Sequence, residues 1–508
     1  MRLYLPDNLD VFELTHNNPP SFKPYKLDKL CYILHLINAI PLMDKDIQYE
    51  DFVPINAKKL QEKIQNYKKY LDYLEHDLKI IESDNHYIVG EKSKGFRFIE
   101  EYKTPVKFMQ VEDFTFRNKL KAQKNRKIES VKHLDFLTKW FNPKLQIDYD
   151  FVNEFLAEEH SLKIKDKAFW EYDRVRKKYK HPTNQLIHAQ MSAQRLKWQD
   201  YNLLLDDNVY RLHTNLTNMP SRVRNAITYD GQKLISLDIK NSQPYLSTIL
   251  LSRDFWIVQK QKFERNKNNS LSIAFDEPQS RYFSSFNQIN KDFKEIESNK
   301  LKIESNKLNI SNINIHNNDS YIMLGEIPQS LVNNEFQHYI DLVVSGKLYE
   351  YLEDAFLNEL GIEMKDRKEV KAAVFQVLFT SNQFKGQAEA APKRLFEQKF
   401  KEVYDVFAKI KSKDKSLLPR LLQSIESHLM INVIAKRISV EYPFAPIYTI
   451  HDSISTTEEY VDVVRQIMIE ELTKAIGHAP TIRPEVWCKS NMVKHLEALK
   501  EKAFAVAS

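Results

Sequence analysis

One acid inside an apolar strand constrains this chain most. The run KLISLDIKNSQPYLSTILL (233–251) opens with Leu234, Ile235, Leu237 and Ile239, which read as a buried strand, and Asp238 sits among them. A carboxylate is costly to bury alone, so Asp238 calls for a metal ion or an arginine, or else caps the helix that follows. The run PIYTIHDSIST (446–456) repeats the arrangement: an apolar strand, a tight turn carrying His451 and Asp452, and a second strand leaving. Such a hairpin tip presents its carboxylate beside a neighbouring strand. Taken singly, each acid fits a structural role as well as a chemical one.

A third segment, DRKEVKAAVFQVLFTSN (366–382), reads as a helix. Arg367, Lys371, Phe375 and Phe379 recur every fourth residue, which stacks them on nearly one face. Two cations followed by two aromatics suit a triphosphate at one end and a base at the other. The same stripe also fits an aromatic core strip with cations at the surface.

In this order the three segments resemble motifs A, B and C of family A DNA polymerases and of the related single-subunit, phage-type RNA polymerases. RLHTNLTNMPSR (211–222) is similar to a further family segment that ends at an arginine, here Arg222. The likeness spans roughly residues 205–500, apart from an insertion. It implies an α+β polymerase right hand, with an antiparallel palm sheet, helical fingers and a thumb-like region. It implies that Asp238 and Asp452 hold two Mg²⁺ ions, with Mn²⁺ as a substitute, for two-metal nucleotidyl transfer. Arg367 and Lys371 would grip the triphosphate. Phe375 and Phe379 would stack near the incoming base and template, with His451 beside the substrate. Arg222 and Gln423 would contact the primer–template duplex.

The sequence departs from the family in three places. Thr380 stands where a glycine follows the last motif B aromatic. Motif C reads His-Asp-Ser, as in the RNA polymerases, where DNA polymerases have His-Asp-Glu. The glutamate that excludes a ribose 2′-hydroxyl in the DNA polymerases is replaced by Gln243, or by Tyr245 if two residues are inserted. The preference between dNTPs and NTPs therefore stays open. The partners implied are a DNA primer–template and nucleoside triphosphates. RNA polymerase or primase activity is one alternative; a non-catalytic DNA-binding replication initiator on a polymerase-like scaffold is another.

Before this core, residues 26–40, 55–64 and 67–81 show helical periodicity. Two strands, Tyr87–Val89 and Phe96–Phe98, follow around Gly90 and Gly95. Three helices and a hairpin make a winged-helix-like domain over residues 1–105, with Lys92, Lys94 and Arg97 on the wing. A helical module that touches a partner protein is the other reading. Residues 106–205 read as a mainly helical, thumb-like region with two basic clusters, FRNKLKAQKNRK and DRVRKKYKH. Palm is expected over 206–252 and 416–508, and fingers over 331–415. Residues 253–330 are rich in Asn, Ser and Lys and carry a tandem IESNKLK/IESNKLN repeat, which marks an insertion.

Composition excludes more than it assigns. A net charge of +6 over 508 residues permits nucleic-acid binding without arguing for it. Two cysteines, Cys31 and Cys488, make neither a disulfide framework nor a zinc site, and fit a cytoplasmic protein. MRLYLPDNLD is no signal peptide, and no long apolar run announces a membrane span. No proofreading exonuclease cluster or phosphate-cradling GxxxxGK[ST] loop is present. A winged helix fused to a polymerase without proofreading suits the replication protein of a plasmid, phage or mobile element.

Overall fold

A computed structural model of the chain describes residues 2–43, 47, 51–88, 92–120, 131–173, 178–252, 255, 313–314, 321–322, 334–364, 367–412 and 414–507. Two compact units emerge. The first holds Met1–Leu204, Thr214–Gly231 and Trp487–Ser508; the second holds Leu205–His213 and Gln232–Val486.

In the first unit, helices Leu27–Met43, Ala57–Lys63 and Tyr67–Asp72 pack with a small sheet. The sheet order is Val53–Pro54, Gly95–Phe98, Ile81–Ser83, all antiparallel. The first strand of the hairpin therefore differs from the sequence reading. Lys79 adopts a left-handed φ of 50° and stops the third helix, which drops Ile81 into the sheet. Ile80 and Ile81 are buried, whereas Tyr87 and Ile88 are exposed. Burial of the isoleucine pair selected the strand, and periodicity alone had merged it with the helix before it. Gly95, read as loop, is a strand residue: a Cβ there would lie 2.6 Å from the Cβ of Phe52. Arg2–Pro6 pairs with Val106–Gln110, so this block extends to residue 110.

The region after it is less helical than its sequence implies. Helices Tyr149–Lys163 and Pro182–Lys197 flank a hairpin of Glu171–Asp173 and Lys178–Lys180. The second basic cluster thus lies partly in a strand, where Lys178 and Lys180 share a face and Tyr179 stacks edge-on to Tyr172 at 5.0 Å. Residues 121–130 and 174–177, which hold much of both clusters, lie outside the described residues. The C-terminal helix Lys489–Ala507 also belongs to this unit.

In the second unit, strand Gln232–Ile239 is flanked by Ser453–Thr457 on one edge and Ile482–Val486 on the other. Tyr448–Ile450 lies outside Ser453–Thr457, and every pairing is antiparallel. Leu234, Leu237, Ile239 and Ile454 are buried. Helices Asn334–Val344, Leu348–Leu360, Arg367–Phe379, Ala391–Lys399 and Lys401–Ile410 form a second layer around Tyr339, Phe396, Phe400 and Phe407. Leu417–Ser427 runs on through a wide turn, His428–Ala435, as the sequence pattern over 416–437 predicts. Of the insertion, the described residues include little beyond an Ile313–Asn314/Tyr321–Ile322 strand pair.

Candidate active site

Asp238 is the penultimate residue of its strand and lies opposite Ser453 on the neighbouring strand. Asp452 immediately precedes Ser453, in a two-residue turn between Ile450 and Ser453. The fold thus brings the two acids to the same end of adjacent antiparallel strands. His451, just before Asp452, and Asn241, three residues after Asp238, both adopt left-handed φ angles, of 56° and 57°. The Ser453 hydroxyl donates to the Ile450 carbonyl at 3.0 Å, which closes the turn and gives the serine of the His-Asp-Ser motif a local role.

The two acids act on one another electrostatically. Burial pushes the Asp238 carboxyl up to about 7, and the Asp452 charge adds to the effect; Lys371 and Arg483 work against it. Asp238 and Asp452 are hard oxygen donors, and the repulsion between them is what a divalent cation relieves. Carboxylate oxygens are the donors that Mg²⁺ takes, and it keeps the rest of its shell for water and substrate. Among the described residues, no group of three or more His, Cys, Asp or Glu side chains is placed to enclose a metal.

The Arg367–Phe379 helix settles which face its stripe takes. Val370, Ala373, Val374, Val377 and Leu378 are buried, whereas Arg367 and Lys371 are exposed and Phe375 and Phe379 half-buried. Among the described residues the stripe is thus the less buried side of the helix, with the cations exposed and the two rings half-buried. Phe375 and Phe379 lie 4.9 Å apart, and the Lys371 ammonium sits 5.3 Å from the Phe375 ring. Arg367 pairs with Glu350 at 3.1 Å and lies over the ring of Tyr349, a buried residue that sequence reasoning missed. Burial raises the Tyr349 phenol, and the charges of Arg367 and Asp452 both act on it. Thr380 has its own partners. Its hydroxyl donates to the Gln376 carbonyl and accepts from Lys393, while Lys411 donates to the carbonyls of Val377 and Thr380. Two buried ammonium groups therefore cap the C-terminal end of this helix.

Behind the acids lies a second missed group. Glu426, on the Leu417–Ser427 helix, is 2% exposed. It accepts from Arg211 Nη2 at 2.7 and 2.9 Å and from Gln243 Nε2 at 2.5 Å. Burial pushes Glu426 up to about 7; Arg211 opposes this and Asp452 adds to it. One sequence signal was available: Glu426 lies a helical turn from both Leu422 and Leu429, on the apolar face. Gln243 is buried, and so is Tyr245, whose hydroxyl donates to the His478 carbonyl at 2.7 Å. Gln423, on the same helix as Glu426, is half-buried.

The remaining candidates lie in the first unit and carry acid partners. Arg222 Nε donates to Glu159 at 2.9 Å. Lys92 pairs with Asp84 at 3.6 Å, Lys94 with Glu75 at 3.7 Å and Arg97 with Glu82 at 2.7 Å. Arg97 and Arg222 line one cavity of about 340 Å³, together with Lys180 and His188.

Among the described residues no helix is long and apolar enough to cross a membrane. No family model matches the sequence, and no curated protein matches it. Among solved structures the chain is similar to the POL domain of Pol1 from M. smegmatis, in complex with DNA primer-template and dNTP. That likeness covers 73% of each chain at 13% identity, with a TM-score of 0.30.

Proposed function

We propose that this chain is a template-directed nucleotide polymerase that extends a DNA primer with nucleoside triphosphates and does not proofread. One observation carries the reading: Asp238 and Asp452 stand at one end of adjacent antiparallel strands, and the charge of Lys371, from a helix whose cations are exposed and whose two phenylalanines are half-buried, acts on Asp238. Asp238 and Asp452 would hold Mg²⁺, which when bound activates the attacking hydroxyl and stabilises the leaving pyrophosphate. Lys371 and Arg367 bind the triphosphate and offset charge that builds on its leaving part. Phe375 and Phe379 offer ring faces to the incoming base. Arg222 and Gln423 are assigned to the duplex. For Arg222 this means that a phosphate or base edge competes with Glu159 for the guanidinium.

Two further assignments belong to the same reading. The N-terminal helices and three-stranded sheet act as a winged helix on duplex DNA; their element order supports this. The polymerase serves DNA synthesis for a self-replicating element. Primer extension with Mg²⁺, offering dNTPs and NTPs separately, tests the proposal. Extension that stops in Asp238→Asn and Asp452→Asn is the expected result. A chain that binds DNA but incorporates neither set of nucleotides is a replication initiator instead.

A further inference from the structure

The helix Arg367–Phe379 ends in a turn that two lysines hold from outside it. The last carbonyls of a helix have no partners within it. Here the Gln376 carbonyl accepts from the amide and the hydroxyl of Thr380, at 3.2 and 2.5 Å. Ammonium groups meet the oxygens that follow. Lys411 donates to the Val377 carbonyl and, at 3.2 Å, to that of Thr380. Lys393 donates to the Ser381 carbonyl at 2.6 Å and to the Thr380 hydroxyl at 3.2 Å. Lys393 comes from the helix Ala391–Lys399 and Lys411 directly follows Lys401–Ile410, so each ties the turn to a separate helix. The arrangement is costly, because Lys393 is fully buried, Lys411 nearly so, and their hydrogen bonds go to carbonyl and hydroxyl oxygens rather than to carboxylates. Burial pushes Lys411 down to about 7, helped by Lys393, and pushes Lys393 down to about 8, helped by Lys385 and opposed by Glu397.

What these contacts bracket is Phe379. The Val377 and Thr380 carbonyls stand before and after it, Leu378 beside it is buried, and its own half-buried ring meets that of Phe375 at 4.9 Å. Thr380, which stands where the resembled family has a glycine, supplies the hydroxyl that Lys393 holds. We propose that Lys393 and Lys411 are positioning residues for base stacking: they fix the last turn of this helix so that the Phe379 ring is presented to the incoming base in one orientation. The inference rests on the polymerase reading. A ring held in place before the nucleotide arrives loses less freedom when the base stacks on it, so the two amines act on affinity through Phe379. The transfer step stays with Asp238, Asp452, Arg367 and Lys371.

The experiment measures kcat and KM for single-nucleotide extension in Lys411→Met, Phe379→Ala and the double variant. Lys411→Met keeps an unbranched side chain and removes the donor. It should raise the nucleotide KM about tenfold, the scale of one stacked base, with kcat changed less than about twofold. Phe379→Ala should raise KM by a similar factor. Adding Lys411→Met to Phe379→Ala should change KM little further, because the lysine acts through the ring. Thr380→Val keeps the branched shape and removes the hydroxyl that Lys393 holds. It should raise KM in the same direction, should be equally silent beside Phe379→Ala, and carries the test alone if circular dichroism shows that Lys411→Met does not fold. If the effects on KM multiply in the double variants, or if kcat falls while KM stays, the lysines serve the fold alone; this proposal then falls and the polymerase reading stands. An unaltered KM in both Lys411→Met and Thr380→Val overturns it as well. If the unaltered chain extends no primer, the polymerase reading falls and takes this inference with it.

Discussion

Glu159 in the first unit and Asp238 in the second are both carboxylates drawn out of water, and the chain treats them in opposite ways. Glu159 is met by Lys163 at 3.0 Å, by Arg222 at 2.9 Å and by His495 at 2.9 Å. Burial works to raise it, but these three outweigh burial and hold it down at about 2. Asp238 is placed beside another acid and rises to about 7. The first arrangement is complete in itself. In the second, Lys371 and Arg483 offset the burial and the neighbouring acid only in part. A buried acid with its counter-charges built in knits a fold together, while one raised by burial and a like charge is a candidate for function.

The contrast is sharpest in chemistry. Asp238→Asn and Asp452→Asn should each cut primer extension by several orders of magnitude, with folding and DNA binding retained. The double variant should lose little more, because paired groups that act as a unit are not additive. Glu159→Gln should extend primers at a near-normal maximal rate but lose about 3 kcal/mol of stability, since Arg222 loses its buried carboxylate partner and Lys163 keeps only Glu171, at 3.2 Å. Urea denaturation beside single-turnover kinetics separates the two. A Glu159→Gln chain with full stability and no activity would break the comparison.

Next in size is the triphosphate grip. Lys371→Ala should lower kcat/KM for nucleotide incorporation by about a hundredfold, the scale of one preorganised charge-stabilising group. Steady-state extension at varied nucleotide concentration reads it.

The two acids should also respond oppositely to pH. Glu159 has its folded pKa depressed from 4.5 to about 2, so its contribution is full above about 4.5 and is lost as pH falls from there toward 2. Asp238 has its folded pKa raised from 3.8 to about 7, so in metal-free protein its contribution is full below about 3.8 and lost as pH rises through 7. Added Mg²⁺ should therefore raise the melting temperature more at pH 8 than at pH 5, and Asp238→Asn should remove that difference. Equal stabilisation at both pH values would argue against a cation site at the pair.

The smallest effect belongs to the wing cations. Lys92, Lys94 and Arg97 already have acid partners, so binding DNA means exchanging one anion for another. Replacing all three with Gln should weaken duplex binding only a few-fold and flatten its salt dependence slightly. Fluorescence anisotropy across a salt series measures both.

What the sequence made legible was local. An acid within an apolar strand, a His-Asp turn and a stripe at helical spacing are written in neighbouring residues, and the structure brings these three segments into one unit. What stayed hidden was pairing at a distance. Nothing in the segment ending at Arg222 announces Glu159, or that His495 meets the same carboxylate from the C-terminal helix. The Arg211–Glu426–Gln243 contacts join three separate stretches, and Lys393 and Lys411 reach Thr380 from two later helices. Ile81 misled for a related reason: its place in a strand depends on a partner edge at Phe98, not on its own neighbours.

The division of the chain has a consequence for its birth on the ribosome. The first unit is assembled from Met1–Leu204, Thr214–Gly231 and Trp487–Ser508, so its last part is made after the whole second unit. Until then Glu159 lacks His495, Asp148 lacks Lys489, and Asn225 has no Cys488 amide to bind. At roughly 5–20 residues per second, that interval lasts tens of seconds. During this time the nascent chain carries an unfinished unit beside a finished one. The last helix to be translated closes the part that began first, so the two units mature in the reverse of the order in which their synthesis starts.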